Sequence, residues 1–151
     1  MPSPRPVIDF LAAHNTLTLA TAGAAGQPHA AALFYAFTPE LRLIFLSEPN
    51  TRHARHIGKG AAVAVTIHAH SQDWQHITGL QMHGWAQPAE DAARAIYLAR
   101  FPFITRTTTL ARALKAVHFY TITPRWIRLI DNRLGFGHKQ EWQLVETQDD
   151  S

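Results

Sequence analysis

Alternating apolar and polar residues recur along most of this chain. In TLTLATA, residues 16–22, the leucines fall at alternate positions, the period of a β-strand with one buried face. The turn GAAGQP joins this segment to a second apolar run, as in a hairpin. The pattern predicts strands over residues 16–22, 29–37, 41–47, 61–70, 77–88 and 118–131, with a last short strand in EWQLVE. Pro124 has no backbone donor, so it predicts an edge, a bulge or a break within the strand 118–131.

Apolar residues at helical spacing occupy the remaining segments. A helix that begins at Ser3 or Pro4 would place Val7 and Leu11 on one face and would end near His14. Further helices are predicted over residues 51–57, 90–101 and 109–117. Short strands joined by tight turns predict a mainly β fold, an antiparallel β barrel with peripheral helices. We expect one domain over residues 1–151, with a frayed tail at 146–151.

Composition narrows the classes of function. With 151 residues, 46% apolar and 17% charged, the chain has the make-up of a globular domain. The absence of cysteine excludes disulfides, thiol catalysis and Cys-based metal sites, and it fits a cytoplasmic protein. A net charge of +3 with scattered basic residues argues against nucleic acid as a partner. Asp9 and His14 interrupt the apolar start, so neither an exported nor a membrane-bound protein is expected.

The segment FLSEPNTRHARHI, residues 45–57, predicts an anion site. An apolar strand ends at Ser47, a Pro-Asn turn follows, and Asn50 or Thr51 can cap a short basic helix. Arg52 offers a planar fork suited to phosphate oxygens, and His53 adds a further donor. Free N–H groups at a helix start would complete such a site. A capped helix with a solvated basic face stays open as the alternative.

Other arrangements of polar residues indicate less. Ten histidines are present, among them the pair His68 and His70, but no His-Glu-x-x-His motif occurs, so no metal site is predicted. Gly-x-Gly in LGFGHK indicates a tight turn, because the third glycine of a dinucleotide loop is missing. There is no Gly-x-Ser-x-Gly elbow and no Ser-His-Asp set, and no catalytic residue is assigned.

The order and spacing of four segments resemble one family. GQPHAAALFYAF, LIFLSEPNTRHARHI, AAVAVTI and QMHGWAQ, within residues 8–131, are similar to segments of the FMN-binding split-barrel superfamily, the pyridoxamine-5′-phosphate-oxidase-like proteins. The ending DNRLGFGHKQEW looks like an uncharacterised bacterial branch of that superfamily. The resemblance implies an antiparallel FMN-binding split barrel. It also implies homodimers that hold flavin in the clefts between subunits.

The resemblance also assigns roles to individual residues. Ser47, Thr51 and Arg52 match the residues that grip the flavin phosphate, and His53 stands where the oxidases have lysine. The flavin ring would lie along residues 31–36 and contact Leu33 and Phe34. A ring-contacting glutamine is replaced by Gly79, and Gln81 on the same strand face is the substitute. Near the C-terminus Gly135, Gly137, Lys139 and Trp142 would approach the cofactor of a partner subunit.

The implied function is an FMN-dependent oxidation or reduction of a small-molecule substrate. The Arg-x-His pattern with which the oxidases hold pyridoxamine phosphate is absent, so that substrate is disfavoured. Two alternatives stay open. The first is a non-catalytic flavin or haem binder that acts as a carrier or sensor, and the second is a dimeric scaffold that has lost its cofactor.

Overall fold

Eight antiparallel strands form one curled sheet in the computed structural model of this protein, which describes residues 4–71 and 73–144. The strands are β1 (Thr16–Ala22), β2 (Pro28–Phe34), β3 (Ala36–Phe37), β4 (Leu43–Ser47), β5 (Ala61–His68), β6 (Thr78–Pro88), β7 (His118–Asp131) and β8 (Lys139–Gln143). Their order across the sheet is β2-β1-β5-β6-β7-β4-β3, and β8 also pairs with β7. The predicted mainly β, antiparallel barrel with peripheral helices is confirmed, as a curled half-barrel.

Strand β7 carries three neighbours. One edge pairs with β6, whereas the other edge pairs first with β4, as far as Ile122, and then with β8, from Trp126 onward. Between these two stretches the register with β6 shifts, and Pro124 lies opposite Gly84. A Cβ on Gly84 would lie 2.6 Å from the Thr123 carbonyl oxygen, so the strands approach each other closely here. Of the three outcomes predicted from Pro124, the structure shows a bulge.

Helices lie at the periphery of the sheet. They are α1 (Arg5–Ala13), α2 (Arg52–Ile57), α3 (Asp91–Arg100), α4 (Phe103–Arg106) and α5 (Thr108–Ala113), with 3₁₀ turns at Trp74–His76, Leu114–Ala116 and Asn132–Leu134. The single helix predicted over 109–117 is wrong, because α5 ends at Ala113 and a 3₁₀ turn follows. Sequence patterns also missed α4. Within the described residues no helix is long and apolar enough to cross a membrane.

Two apolar cores share strand β4. Its Leu43 and Phe45 point into the barrel, while Ile44 points outward beneath the helices, and all three are at most 1% exposed. The barrel core includes Leu17, Leu19, Val65, Met82, Ile127 and Trp142, and the outer core includes Tyr97, Phe101, Ile104, Leu114 and Phe119. Burial on both faces explains why LIFL in β4 is continuously apolar rather than alternating.

The strand predicted over 29–37 is interrupted at Tyr35. This side chain is fully buried, and its hydroxyl donates to the carbonyl oxygen of Leu11 at 2.9 Å. Its backbone N–H donates to the carbonyl oxygen of Asn15 at 2.9 Å, one pair beyond the last residues that β1 and β2 share. Burial raises the pKa of Tyr35 to about 12, although the Arg100 guanidinium opposes this shift. Tyr35 therefore remains a hydrogen-bond donor and ties the chain between β2 and β3 to α1.

Arg100 fastens three elements at this point. Its guanidinium donates to the carbonyl oxygens of Tyr35 (2.9 Å), Leu11 (3.1 Å) and His14. The same group lies 4.9 Å from the Tyr35 ring centroid and 5.2 Å from that of Phe37. A cation beside the last carbonyls of α1 is favourable for the helix dipole as well. Arg100 thereby connects α3, the end of α1 and the break between β2 and β3.

We expect Arg100→Met to lower the free energy of unfolding by roughly 2–4 kcal/mol, because several partly buried carbonyls lose a charged donor together. Arg112→Met on exposed α5 is the matched control and should change it by less than about 0.5 kcal/mol. Urea unfolding followed by circular dichroism measures both variants. Equal urea midpoints for Arg100→Met and Arg112→Met would show that Arg100 does not stabilise the contact between these elements.

Candidate functional site

The predicted anion segment lies between the end of β4 and the start of α2. Of the two predicted capping residues, Thr51 is the N-cap of α2. Its Oγ1 accepts a hydrogen bond from the backbone N–H of Ala54 at 3.4 Å. The same hydroxyl donates to the carbonyl oxygen of Glu48 at 2.9 Å. These two bonds hold the turn after Ser47 in one conformation. The local structure predicted from a capping residue and a Pro-Asn turn is therefore present.

Three of the predicted phosphate-segment side chains meet. The Oγ of Ser47 lies 2.5 Å from Nε2 of His53, and Oγ1 of Thr51 lies 3.3 Å from the same nitrogen. Ser47 and His53 are each 6% exposed. We call these three residues the hydroxyl–histidine cluster. Hydroxyl groups rotate freely. Ser47 and Thr51 can therefore each redirect a hydrogen bond toward a ligand without movement of the backbone.

His53 is neutral near pH 7. Its pKa lies below the ordinary value of 6.5, mainly because of burial and further because of positive charge on His29 and His56. The His29 ring stacks on that of His53 with centroids 6.2 Å apart and meets the edge of His56 at 6.1 Å. Since the unfolded chain takes up this proton more readily, stability from His53 is present above pH 6.5 and is lost as the pH falls below it.

His29 was missed by sequence reasoning. It precedes Ala31 and Leu33 at alternate positions of β2, and all three are partly buried. A second unpredicted contact places Nδ1 of His56 2.8 Å from Oγ1 of the buried Thr21, on β1. The signal in the sequence was the period-two pattern of β2, which places His29 on the same face as Leu33. Its proximity to His53, however, depends on how α2 packs on β1 and β2.

Arg52 supplies the positive charge of the site. It is exposed and makes no hydrogen bond or ion pair with any other residue in the described part of the chain, and Arg55 is exposed one turn away. Helix α2 has only six residues, so its dipole is small and side chains must provide most of the attraction for an anion. An exposed guanidinium on the residue after Thr51, combined with two rotatable hydroxyls, is a donor set that fits a phosphate group.

The remaining predicted residues lie apart from this cluster within one chain. Leu33 packs against the barrel core, whereas Phe34 is 52% exposed and contacts Phe101 of the outer core. Gln81 is exposed on β6, three strands from β2 in the sheet. Lys139 is exposed on β8. Trp142 is 1% exposed in the core of its own chain, which leaves its ring almost no surface for a cofactor.

Glycines 135 and 137 form the predicted tight turn. They follow the 3₁₀ turn Asn132–Leu134 and have φ angles of +133° and +69°. Angles in this range are readily adopted by glycine and rarely by other residues. The backbone geometry that LGFGHK indicated is confirmed, and the loop ends where β8 begins.

Ser47 and His53 resemble two members of a nucleophilic catalytic set. The serine Oγ lies 2.5 Å from the imidazole Nε2, and both side chains are buried. No carboxylate in the described residues hydrogen-bonds to His53. Across residues 4–71 and 73–144, no group of three or more histidines, aspartates or glutamates is arranged to hold a metal ion.

Comparison with known proteins adds a family and a fold. The sequence model of the family described as pyridoxamine 5′-phosphate oxidase matches residues 6–131. A UPF0306 protein of Enterobacter sp. (strain 638) is 36% identical over 127 residues, which cover 80% of this chain and 83% of that protein.

Solved structures show the same fold at low sequence identity. A pyridoxamine 5′-phosphate oxidase-related, FMN-binding protein of Nostoc punctiforme superposes with a TM-score of 0.69 and 13% identity, covering 99% of this chain and 94% of that one. HutZ, the haem storage protein of Vibrio cholerae, superposes with a TM-score of 0.65 and 19% identity, covering 82% of this chain and 91% of that one. With the family match spanning most of its length, this chain belongs to the pyridoxamine 5′-phosphate oxidase family and is a relative of the UPF0306 proteins.

Proposed function

We propose that this protein binds FMN and uses it to oxidise or reduce a small molecule. The observation that carries the proposal is the hydroxyl–histidine cluster beside the exposed Arg52, since this donor set fits a phosphate. The Nostoc punctiforme protein of the same fold is described as FMN-binding, which supports FMN as the ligand that carries this phosphate. Bound FMN would supply the electron-transfer chemistry, and the protein would position and tune it.

The flavin phosphate would be held by side chains of the β4–α2 segment. Arg52 would engage two phosphate oxygens with its planar fork, while Ser47 and Thr51 would turn their hydroxyls toward a third. His53 would then face a dianion in place of neutral hydroxyl oxygens. A nearby negative charge favours the protonated imidazole, so binding would raise the pKa of His53 from its lowered value in the free protein.

The flavin ring would lie along β2. In the described residues β2 pairs on one edge only, with β1, so the backbone N–H and C=O groups of its other edge are available to a ring. Leu33 and Phe34 would contact the ring from this strand. This arrangement agrees with the ring position that the family resemblance implies.

We further propose a homodimer that holds FMN between its subunits, located in the cytoplasm. The outer face of the sheet carries a cross-strand row of Ala32, Thr18, Thr66, Gln81, Arg128 and Glu141. The first three are small, which lets a second copy approach the backbone closely. Gln81 and Lys139 are exposed and could thus reach the cofactor bound by a partner subunit.

A haem binder is the second candidate, because HutZ of the same fold is described as a haem storage protein. One titration distinguishes an FMN-binding protein from a haem-binding protein. FMN binding quenches flavin fluorescence, whereas haem binding produces an intense band near the blue edge of the visible spectrum. Reduction of an acceptor by reduced nicotinamide in the presence of bound FMN would then distinguish an enzyme from a carrier or sensor. Binding of neither group would favour the scaffold alternative.

Arg52→Ala should weaken FMN binding by about ten- to a hundredfold, the loss of one charge-assisted phosphate contact. Riboflavin, which has no phosphate, should bind wild type and variant equally. Arg112→Ala is the matched control and should leave both affinities unchanged. Fluorescence titration of the flavin-free protein measures all six values. Unchanged FMN affinity in Arg52→Ala would place the phosphate elsewhere.

FMN binding near pH 7 should take up as much as about one proton, since the bound dianion raises the pKa of His53. Affinity should therefore increase as the pH falls from about 8 to 7, a range in which the phosphate stays mostly dianionic. His53→Gln should abolish both the uptake and the slope. Calorimetry in two buffers of different ionisation enthalpy counts the protons. Equal uptake by wild type and His53→Gln would contradict this role of His53.

Thr66→Arg should convert the proposed dimer to a monomer, because a long charged side chain would stand where two sheets approach. Light scattering after size-exclusion chromatography measures the mass, and substitution of the exposed Arg106 of α4 by Ala serves as the control. A wild-type protein that is monomeric at micromolar concentration would overturn the dimer, irrespective of FMN binding.

A further inference from the structure

An apolar pocket lies in the outer core, away from the hydroxyl–histidine cluster. It has a volume of about 200 Å³ and opens between the helices α3–α5 and the strands β2 and β4. Its lining residues are Phe34, Leu46, Tyr97, Phe101, Phe103, Ile104, Leu110, Ala113, Leu114 and Val117. Apart from the Tyr97 hydroxyl, every side chain in this lining is a hydrocarbon. A pocket of this size and lining suits one or two aromatic rings.

Aromatic side chains flank the mouth of this pocket. Phe34 and Phe103 are 52% and 49% exposed, an unusual degree for phenylalanine beside a packed core. Phe101, only 6% exposed, lies between them, with ring centroids 5.6 Å from Phe34 and 6.2 Å from Phe103. These spacings are typical of aromatic pairs. A flat ring that packs against Phe34 and Phe103 would cover apolar surface that both now expose to water.

Tyr97 supplies the single polar group. It is 3% exposed, and its hydroxyl makes no hydrogen bond with another residue in the described part of the chain. Burial raises the pKa of Tyr97 to about 12, so the hydroxyl keeps its proton under physiological conditions. Buried hydroxyls nearly always have a partner. Among the described residues, every side-chain oxygen that is fully inaccessible to solvent has a hydrogen-bond partner. The unpaired Tyr97 oxygen therefore retains some solvent access, and Tyr97 lines the pocket.

We propose that this pocket binds an uncharged aromatic compound of one or two rings that carries one hydrogen-bonding oxygen or nitrogen. The ring would occupy the apolar volume, and the polar atom would pair with the Tyr97 hydroxyl. No charged side chain lines the pocket, so a carboxylate or an ammonium group would be bound poorly. Phe34 is also the proposed contact of the flavin ring. We infer that this compound is the small molecule that the flavin would oxidise or reduce. This second step rests on the proposed function, whereas binding of the compound does not.

The test uses the flavin-free full-length protein and three related probes, 1-naphthol, naphthalene and 1-naphthoate. Chemical-shift changes in amide NMR spectra give the affinities and locate the bound ring. We expect 1-naphthol to bind most tightly, naphthalene about fivefold more weakly and the anionic 1-naphthoate at least tenfold more weakly. Tyr97→Phe should weaken 1-naphthol about fivefold and leave naphthalene unchanged, a difference that a merely structural role of Tyr97 would not produce.

A pocket-filling variant completes the test. Ile104→Trp should abolish binding of both neutral probes, and Leu110→Trp, at the more exposed rim, serves if the first variant fails to fold. Absence of shifts with 1-naphthol and naphthalene up to their solubility limits would overturn the proposal, as would tightest binding of 1-naphthoate. Arg52→Ala should bind 1-naphthol normally. In the wild-type protein, absence of FMN binding with retained 1-naphthol binding would refute the proposed function and support the pocket, whereas FMN binding without 1-naphthol binding would refute only the pocket.

Discussion

The long strand β7 is the constraint on which the rest of this fold depends. Its 14 residues pair with β6 along one edge, while the other edge is divided between β4 and β8. The bulge opposite Gly84 marks the division, and it bends the sheet where one neighbour gives way to the next. Because β4 is held on β7, its end at Ser47 and the helix that follows are held as well. The candidate site thus depends on the β4–β7 ladder, which extends as far as Ser47 and its partner His118.

Sequence patterns predicted most elements of the fold. Alternation identified β1 and β5, and the hydrophobic run ending at Ser47 identified β4. The strand 118–131 was predicted with the bounds that the structure shows. The patterns failed where a contact distant in sequence decides the backbone. HAAALFYAF continues without a break in composition, yet Tyr35 leaves the strand because its hydroxyl reaches Leu11 and its carbonyl accepts from Arg100. No local pattern carries that information.

The candidate site was predictable in its parts and not in its assembly. Thr51 as a cap and the approach of Ser47 to the start of α2 follow from local spacing. The stacking of His29 on His53 depends on the packing of α2 against β2, so its effect on the pKa of His53 could not be anticipated. Trp142 was expected near a partner's cofactor because of the resemblance to the FMN-binding split-barrel proteins. The inward register of β8 buries it in the core of its own chain.

The double burial of β4 has a consequence for how the chain is made. Leu43 pairs with Ile122, so about half of the sequence must leave the ribosome after β4 before its partner strand appears. During that interval LIFL, apolar on both faces, has neither β7 nor the helices α3–α5 to cover it. Long-range pairing of this kind slows folding and leaves hydrophobic segments open to aggregation. Nascent chains therefore pass through a stage at which β4 is a natural target for chaperones, and Ser47 and α2 reach their final positions only after that stage ends.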